Sequence, residues 1–295
     1  VVLLLGSGCS VRRLAVNQVA NALTSGSSSF ATDNDPELVK DALPFSLKLM
    51  ESLLSESPRH QGLLLTLGSG FTQYGYAFVQ MEAERLEDTD LDAARQGQVR
   101  ARNLYLRGRN HLWQGWEVRH PGFVEALFHD PQAAVSQATE EDVPWLYWTA
   151  ASWAAAISLS KDDPSMVGDL PKVEALIDRA LVLDEDWNRG SLHQFLITFE
   201  MSRATGTGDP VLRATRHFER ALALSEGKLA GPRVAYAEAV CIPQEDRAGF
   251  VAQLEKVLAL DVNADPSSRV ENLVLQRRAR WLMGRVDELF LPPLP

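Results

Sequence analysis

Cysteine is nearly absent. Cys9 and Cys241 are the only two in 295 residues, so there is no disulfide framework and no thiolate metal site by spacing. Basic residues are outnumbered, 29 Lys and Arg against 39 Asp and Glu, for a formal net charge of -10. Without a basic face the chain does not fit a nucleic-acid footprint. Long apolar runs are missing too: a mean hydropathy of -0.14 excludes a polytopic membrane protein, and 45% AVILMFWYC excludes disorder. No H-E-x-x-H, C-x-x-C pair, G-x-x-x-x-G-K-[ST] or G-x-S-x-G occurs. Gly68-Ser69-Gly70 has only the outline of a nucleophile elbow, since no strand precedes it. His111, His120 and His129 recur every nine residues. That spacing does not hold one helical face, and Pro121 and Pro131 interrupt it, so no metal is expected. Asp162 and Asp163 point apart as sequence neighbours, and no acid-base partner is specified for them. His193 and Glu200 share a helix face two turns apart, where an interior histidine is the plainer reading. The chain does not read as an enzyme, and no cofactor is implied.

What is abundant is helix signal, centred on Val143–Pro171. Pro144 suits a first helical turn, and the stretch after it has no glycine or proline for fifteen residues. Trp145, Trp148 and Trp153 crowd it, apolar residues lie on every side, and a helix of that kind is buried. It reads as the central post of an all-helical protein. Ala151, Ala154 and Ser158 form a small-residue track for a closely approaching helix. The post ends abruptly in Ser160, Lys161, Asp162, Asp163 and Pro164, as a plain exit or the lip of a site. The seven tryptophans are many for this length: either some line a groove or all of them fill the core.

Helices are predicted at 11–23, from Asp35-Pro36 with a kink or division at Pro44, and from Gln61 to Arg85 after Ser57-Pro58. The last of these carries Gly62, Gly68, Gly70 and Gly75 beside Phe71, Tyr74, Tyr76 and Phe78. Glycine costs a helix about 1 kcal/mol each, so these positions serve close packing or make room for a ligand. A charged helix follows from Leu91 to Val118, with arginine at 95, 100, 102, 107 and 109. Two short pieces come next, 123–128 and 131–137, and a capping-box variant at Thr139–Asp142 leads into the post.

The second half repeats. An apolar stripe at Val173, Leu176, Ile177, Ala180 and Leu181 ends in Leu183, and similar endings return at Leu224 and Leu260. The spacings are 41 and 36 residues, bracketing the roughly 34-residue helix-turn-helix unit of tetratricopeptide repeats. First helices of the pairs fall at 190–204 and 232–240, TGTGDP at 205–210 is a turn, and Asp265-Pro266 caps the last long helix. Arginines 277, 278 and 280 make a solvated or interface face. The expected architecture is all-α: tetratricopeptide-like hairpins stacked as an α-solenoid around a buried central helix, with a cleft or pore. Residues 10–295 form a single domain, with an N-terminal part at 10–138 and a repeat part at 139–295.

Residues 1–9 read differently. An apolar run, VVLLL, then Gly6, Ser7 and Gly8, precedes Cys9, resembling the tail of a bacterial lipoprotein signal whose cysteine is lipidated. The run is short and lacks a basic start, as in a signal that has lost its first residues. Gly6 stands three before the cysteine where leucine is usual, and Ser10 favours the outer membrane over the inner.

Taken together these segments resemble the TatT family, tetratricopeptide-like lipoproteins associated with TRAP (tripartite ATP-independent periplasmic) transporters. The resemblance is carried by Gly70–Phe78, the post with its exit at 158–162, Val173–Ile177, His193–Ile197 and Gln276–Leu282, and it extends over nearly the whole chain from Leu14. The atypical lipobox is the main departure. Family likeness implies a periplasmic, lipid-anchored protein that pairs with the transporter's substrate-binding protein and assembles as a homo-oligomer, with a trimer as one candidate. It also implies a cleft or pore that passes a hydrophobic or organic-acid ligand. The candidate lining is Phe71, Tyr74, Phe78, Tyr147, Trp148, Ser160, Lys161 and Asp162, with Lys161 meeting a carboxylate as a compact cation or pairing with an acid at a helix end. The alternative function is a tetratricopeptide scaffold of the cell envelope that binds protein and no small molecule.

Overall fold

Aspartate followed by proline starts five of the helical segments among the described residues, at 35–36, 130–131, 163–164, 209–210 and 265–266. Proline at the first helical position gives up an N–H that would be unpaired there anyway, and it fixes φ near the helical value. The aspartate carboxylate accepts from the N–H groups just beyond it. Asp209 accepts from the Val211 N–H at 2.9 Å and Asp130 from the Ala133 N–H at 3.1 Å.

The computed structural model describes residues 8–24 and 29–290, with side chains from Val16 onward. The lipidation reading of residues 1–9, including the Cys9 side chain, lies outside the described residues. The chain is helical, with no strand among the described residues. The order is α1 (Gly8–Thr24), α2 (Ser29–Thr32), α3 (Pro36–Glu56), α4 (Gln61–Tyr74), α5 (Met81–Arg85), α6 (Leu91–Arg119), α7 (Phe123–His129), α8 (Pro131–Ser136), α9 (Val143–Ser158), α10 (Pro164–Val167) and α11 (Leu170–Leu183). Then come α12 (Trp187–Phe199), α13 (Pro210–Leu224), α14 (Gly231–Tyr236), α15 (Arg247–Leu258), α16 (Arg269–Gly284) and α17 (Val286–Leu289). A π turn at Gly75–Gln80 joins α4 to α5, and another at Ala237–Cys241 follows α14. Periodicity alone reads straight through both π turns, because one extra residue in a turn barely disturbs an apolar pattern. Pro44 does not divide α3; one missing ladder bond is outweighed by the buried Val39, Leu47, Met50 and Leu54 face.

The helices divide into two compact units, one of residues 8–24 and 40–183, the other of residues 29–39 and 184–290. The sequence suggests parts at 10–138 and 139–295. Contacts instead group the post with the N-terminal helices, because α9 packs on α4 and α6 as well as on α11.

In the first unit α6 lies against both α4 and α9. Glycine makes this possible: a Cβ on Gly108 of α6 would lie 2.8 Å from the Gly68 carbonyl oxygen of α4, and one on Gly115 would overlap the Trp145 ring. The glycine-rich row therefore serves close helix packing at Gly68, Gly70 and Gly75, whose added Cβ atoms would meet Leu112, Leu47 and Tyr105. Close approach occurs there, and not along the Ala151–Ala154–Ser158 track, whose residues are half-buried or exposed. The post is accordingly not buried all round. Trp145, Leu146, Thr149, Ala150, Trp153, Ala156 and Ile157 face inward, each large one contributing about 1.5–3 kcal/mol by burial. Trp116 Nε1 donates to Thr149 Oγ1 at 3.0 Å, which settles two polar atoms in that core.

In the second unit α12 packs on α13 and α14 on α15. Ile197, Ala214, Phe218 and Val240 form its packed centre, and Phe218 stacks on Tyr236 with centroids 4.2 Å apart. Asn188, Arg189 and Gly190 have positive φ at the start of α12. Gly190 (φ 90°) also lies against Ala221 and Leu224, so the regular helix begins after it.

Candidate functional site

The sequence-derived candidates fall into three groups, all in the first unit. Phe71, Tyr74 and Phe78 lie one and two turns apart along α4 and the π turn, and all three are buried. They face α6: Phe71 stacks on His111 at 5.9 Å beneath Arg107 at 5.0 Å, and Tyr74 packs against Phe78 at 5.8 Å with Arg100 at 6.0 Å from its ring. Around Phe71 the Glu51 carboxylate accepts from Arg107 Nε at 2.6 Å, Lys48 Nζ at 2.6 Å and His111 Nε2 at 3.1 Å. Burial pushes the Glu51 carboxyl up, but those hydrogen bonds outweigh it and hold its pKa at about 2.

Tyr147 and Trp148 form the second group, edge to face at 4.9 Å. With Ala151, Ala154, Ala155 and Ser158 they make the half-buried to exposed stripe of α9, an apolar face left partly open. Ser160, Lys161 and Asp162 form the third group, where that stripe ends. Ser160 is buried, donating its hydroxyl to the Ala156 carbonyl at 2.8 Å, while Lys161 and Asp162 are exposed. Among the described residues Lys161 has no ion-pair partner, unlike the helix-end pairing considered for it. Asp163 is a helix cap, held low by Ser165 and by the charge of Arg102.

A fourth group was not legible as a site in the sequence. Where α6, α7, α9 and the start of α11 meet, the Arg109 guanidinium carbon sits 3.9 Å from the Trp113 ring centroid and 5.1 Å from that of Trp153. The two indoles meet edge to face at 5.3 Å, and Phe128 packs at 5.7 Å from each. Lys172 Nζ lies 4.7 Å from the Phe128 ring and is bonded to Asp169 Oδ1 at 2.8 Å. Desolvation lowers the Arg109 pKa to about 10, against the opposing charge of Asp169, and no carboxylate stands within ion-pair distance of it among the described residues. Arg109 Nε, Trp113 Nε1 and Trp153 Nε1 are all buried without a hydrogen-bond acceptor. The sequence signal was Arg109 four residues before Trp113 on a helix, a stacking distance, hidden among five arginines on a charged helix.

The remaining singled-out residues have structural partners. His120 Nε2 and Arg119 Nε both bond the buried Asp142 carboxylate, at 3.1 and 2.8 Å, within the Thr139–Asp142 capping box. His193 Nδ1 and His217 Nδ1 share a hydrogen bond of 2.8 Å, and Glu200 pairs with Arg203 and Arg213 rather than with a histidine. Arg278 turns inward to Glu238 at 2.6 Å. Among the described residues no group of His, Cys, Asp and Glu could hold a metal ion, and no helix is long and apolar enough to cross a membrane. Among the described residues there is a shallow concavity of about 500 Å³ along α15, beside Arg247 and Glu255, and another of about 230 Å³ beside Arg119, His120 and Gln137. Neither is lined by the eight candidate residues.

The chain is similar to an uncharacterized protein of Treponema pallidum (strain Nichols), 29% identical over 306 residues that cover 98% of this chain and 95% of the relative. The family model described as the TRAP transporter T-component matches residues 32–290, a span that reaches into both units, and the chain belongs to the TRAP transporter T-component family.

Proposed function

We propose that this T-component is a periplasmic accessory protein, lipid-anchored at Cys9, that binds the transporter's substrate-binding subunit. In this reading it passes or holds a hydrophobic or organic-acid ligand, and it works as a homo-oligomer, with a trimer as the candidate form. Family membership over residues 32–290 supplies the transport context. The observation that carries the ligand reading is the half-open stripe of α9, where Tyr147 and Trp148 present aromatic surface leading to the exposed Lys161 and Asp162. An apolar face with a few polar groups at one end is the composition of a small-molecule path. Phe71, Tyr74 and Phe78 would wall the same path from α4 once their packing on α6 relaxes.

A second reading, a protein-binding scaffold without a small molecule, draws on the burial of those three rings and on the position of two shallow concavities elsewhere. Alanine at Tyr74 and at Trp148, tested separately, distinguishes the two. Ligand-transfer chemistry predicts weaker binding of an apolar probe such as decanol in both variants, at unchanged far-UV circular dichroism. Unaltered affinity in both removes this lining and favours the scaffold.

A further inference from the structure

We propose that Arg109, framed by Trp113 and Trp153, is a recognition position for a single carboxylate attached to an apolar body. The proposal rests on the ligand-binding reading above and names the residue that would select among ligands. Three features support it. First, Arg109 is a half-buried cation with no carboxylate at ion-pair distance among the described residues. A desolvated charge without a counter-ion is costly, and an incoming anion removes that cost. Second, three N–H donors of the cluster, from Arg109, Trp113 and Trp153, are buried without acceptors. Buried donors are normally paired, so the cluster has more donors than the protein supplies acceptors for. Third, the surroundings set the valence. Lys172 is already engaged by Asp169 at 2.8 Å, so Arg109, Lys172 and Asp169 together carry one net positive charge, enough for one carboxylate and not for two.

The geometry suits that guest. The guanidinium carbon lies 3.9 Å from the Trp113 ring centroid and 5.1 Å from that of Trp153, so cation–π contact keeps the charge beside the indoles before a ligand arrives. Arg109 Nη2 makes only a long contact with Asn110 Oδ1, 3.4 Å, leaving the fork available for paired N–H···O bonds to a carboxylate. Phe128, exposed on one side and packed against both tryptophans on the other, offers apolar surface to the rest of the molecule.

The test is isothermal titration of the full chain with decanoate and with decanol, which share the apolar body and differ in the charged head. The wild-type chain should bind decanoate more tightly than decanol. Arg109→Met should weaken decanoate by about tenfold or more, the loss of a charge-assisted contact, while leaving decanol within about twofold. Arg109→Lys keeps the charge without the fork and should fall between; it also covers the case in which Arg109→Met fails to fold. Equal binding of decanoate and decanol by the wild-type chain, or decanoate affinity unmoved in Arg109→Met, overturns the proposal. If the two ligands bind equally and both weaken in Trp148→Ala, only the Arg109 assignment falls and the ligand path stands. If neither ligand binds, both fall.

Discussion

Glutamate 51 ties α3 to α6 beside Phe71, and replacing it with glutamine tests how the aromatic row on α4 is held. Its carboxylate takes hydrogen bonds from Arg107, Lys48 and His111, and its pKa falls from an ordinary 4.5 to about 2. That difference corresponds to about 3 kcal/mol favouring the ionised folded state. The Arg107 and Lys48 side chains are 45% and 62% exposed, and water screens pairs of that kind, so about 1–2 kcal/mol is expected for Glu51→Gln near neutral pH. The sign follows from the lowered folded pKa: the stabilisation is fully present above 4.5 and is lost as pH falls through about 2. Urea unfolding of wild type and variant at pH 7 and pH 3 measures both. The gap between them at pH 3 should be less than about half that at pH 7. A gap that is absent at pH 7, or that stays constant to pH 3, would refute the role assigned to this carboxylate.

Two more substitutions probe the first unit. Gly108→Ala places a methyl against the Gly68 carbonyl oxygen and should destabilise by about 1–3 kcal/mol despite alanine's better helix propensity, read as a lowered thermal midpoint; an unchanged or raised midpoint contradicts the close α4–α6 approach. Asp142→Asn leaves Arg119 without its charged partner at a site that is 1% exposed and should cost about 2–4 kcal/mol. Burial raises the Asp142 carboxyl, but bonds from Thr139, Arg119 and His120 bring it below its ordinary value of 3.8. Its contribution is therefore present above 3.8 and declines at lower pH; urea midpoints that differ as much at pH 2 as at pH 7 would contradict this.

The helices were legible because their signals are local. Asp-Pro starts, the Thr139 capping box and the 3.6-residue apolar stripes depend on neighbours within one turn or two, and they appear where the sequence puts them. The glycines of α4 were legible as a choice between packing and ligand room, and it is the Gly68–Gly108 approach across two helices that decides it. From sequence the post reads as buried all round because Tyr147, Trp148 and Ala151 are apolar. Which side stays half-open depends on the positions of α4, α6 and α11, which no residue of α9 encodes. The Arg109 cluster is harder still. It joins residues from four helices and a loop that lie as far apart in the chain as Arg109 and Lys172, and only the pair Arg109 and Trp113 shares a helix.

The central claim is that this chain works by binding within a TRAP transport system. Its most direct test is association between the purified chain and the substrate-binding subunit of its own transporter, measured by analytical ultracentrifugation with and without ligand. A complex of defined stoichiometry is the predicted result. Two independent species that sediment separately at every concentration and with every ligand tried would contradict it.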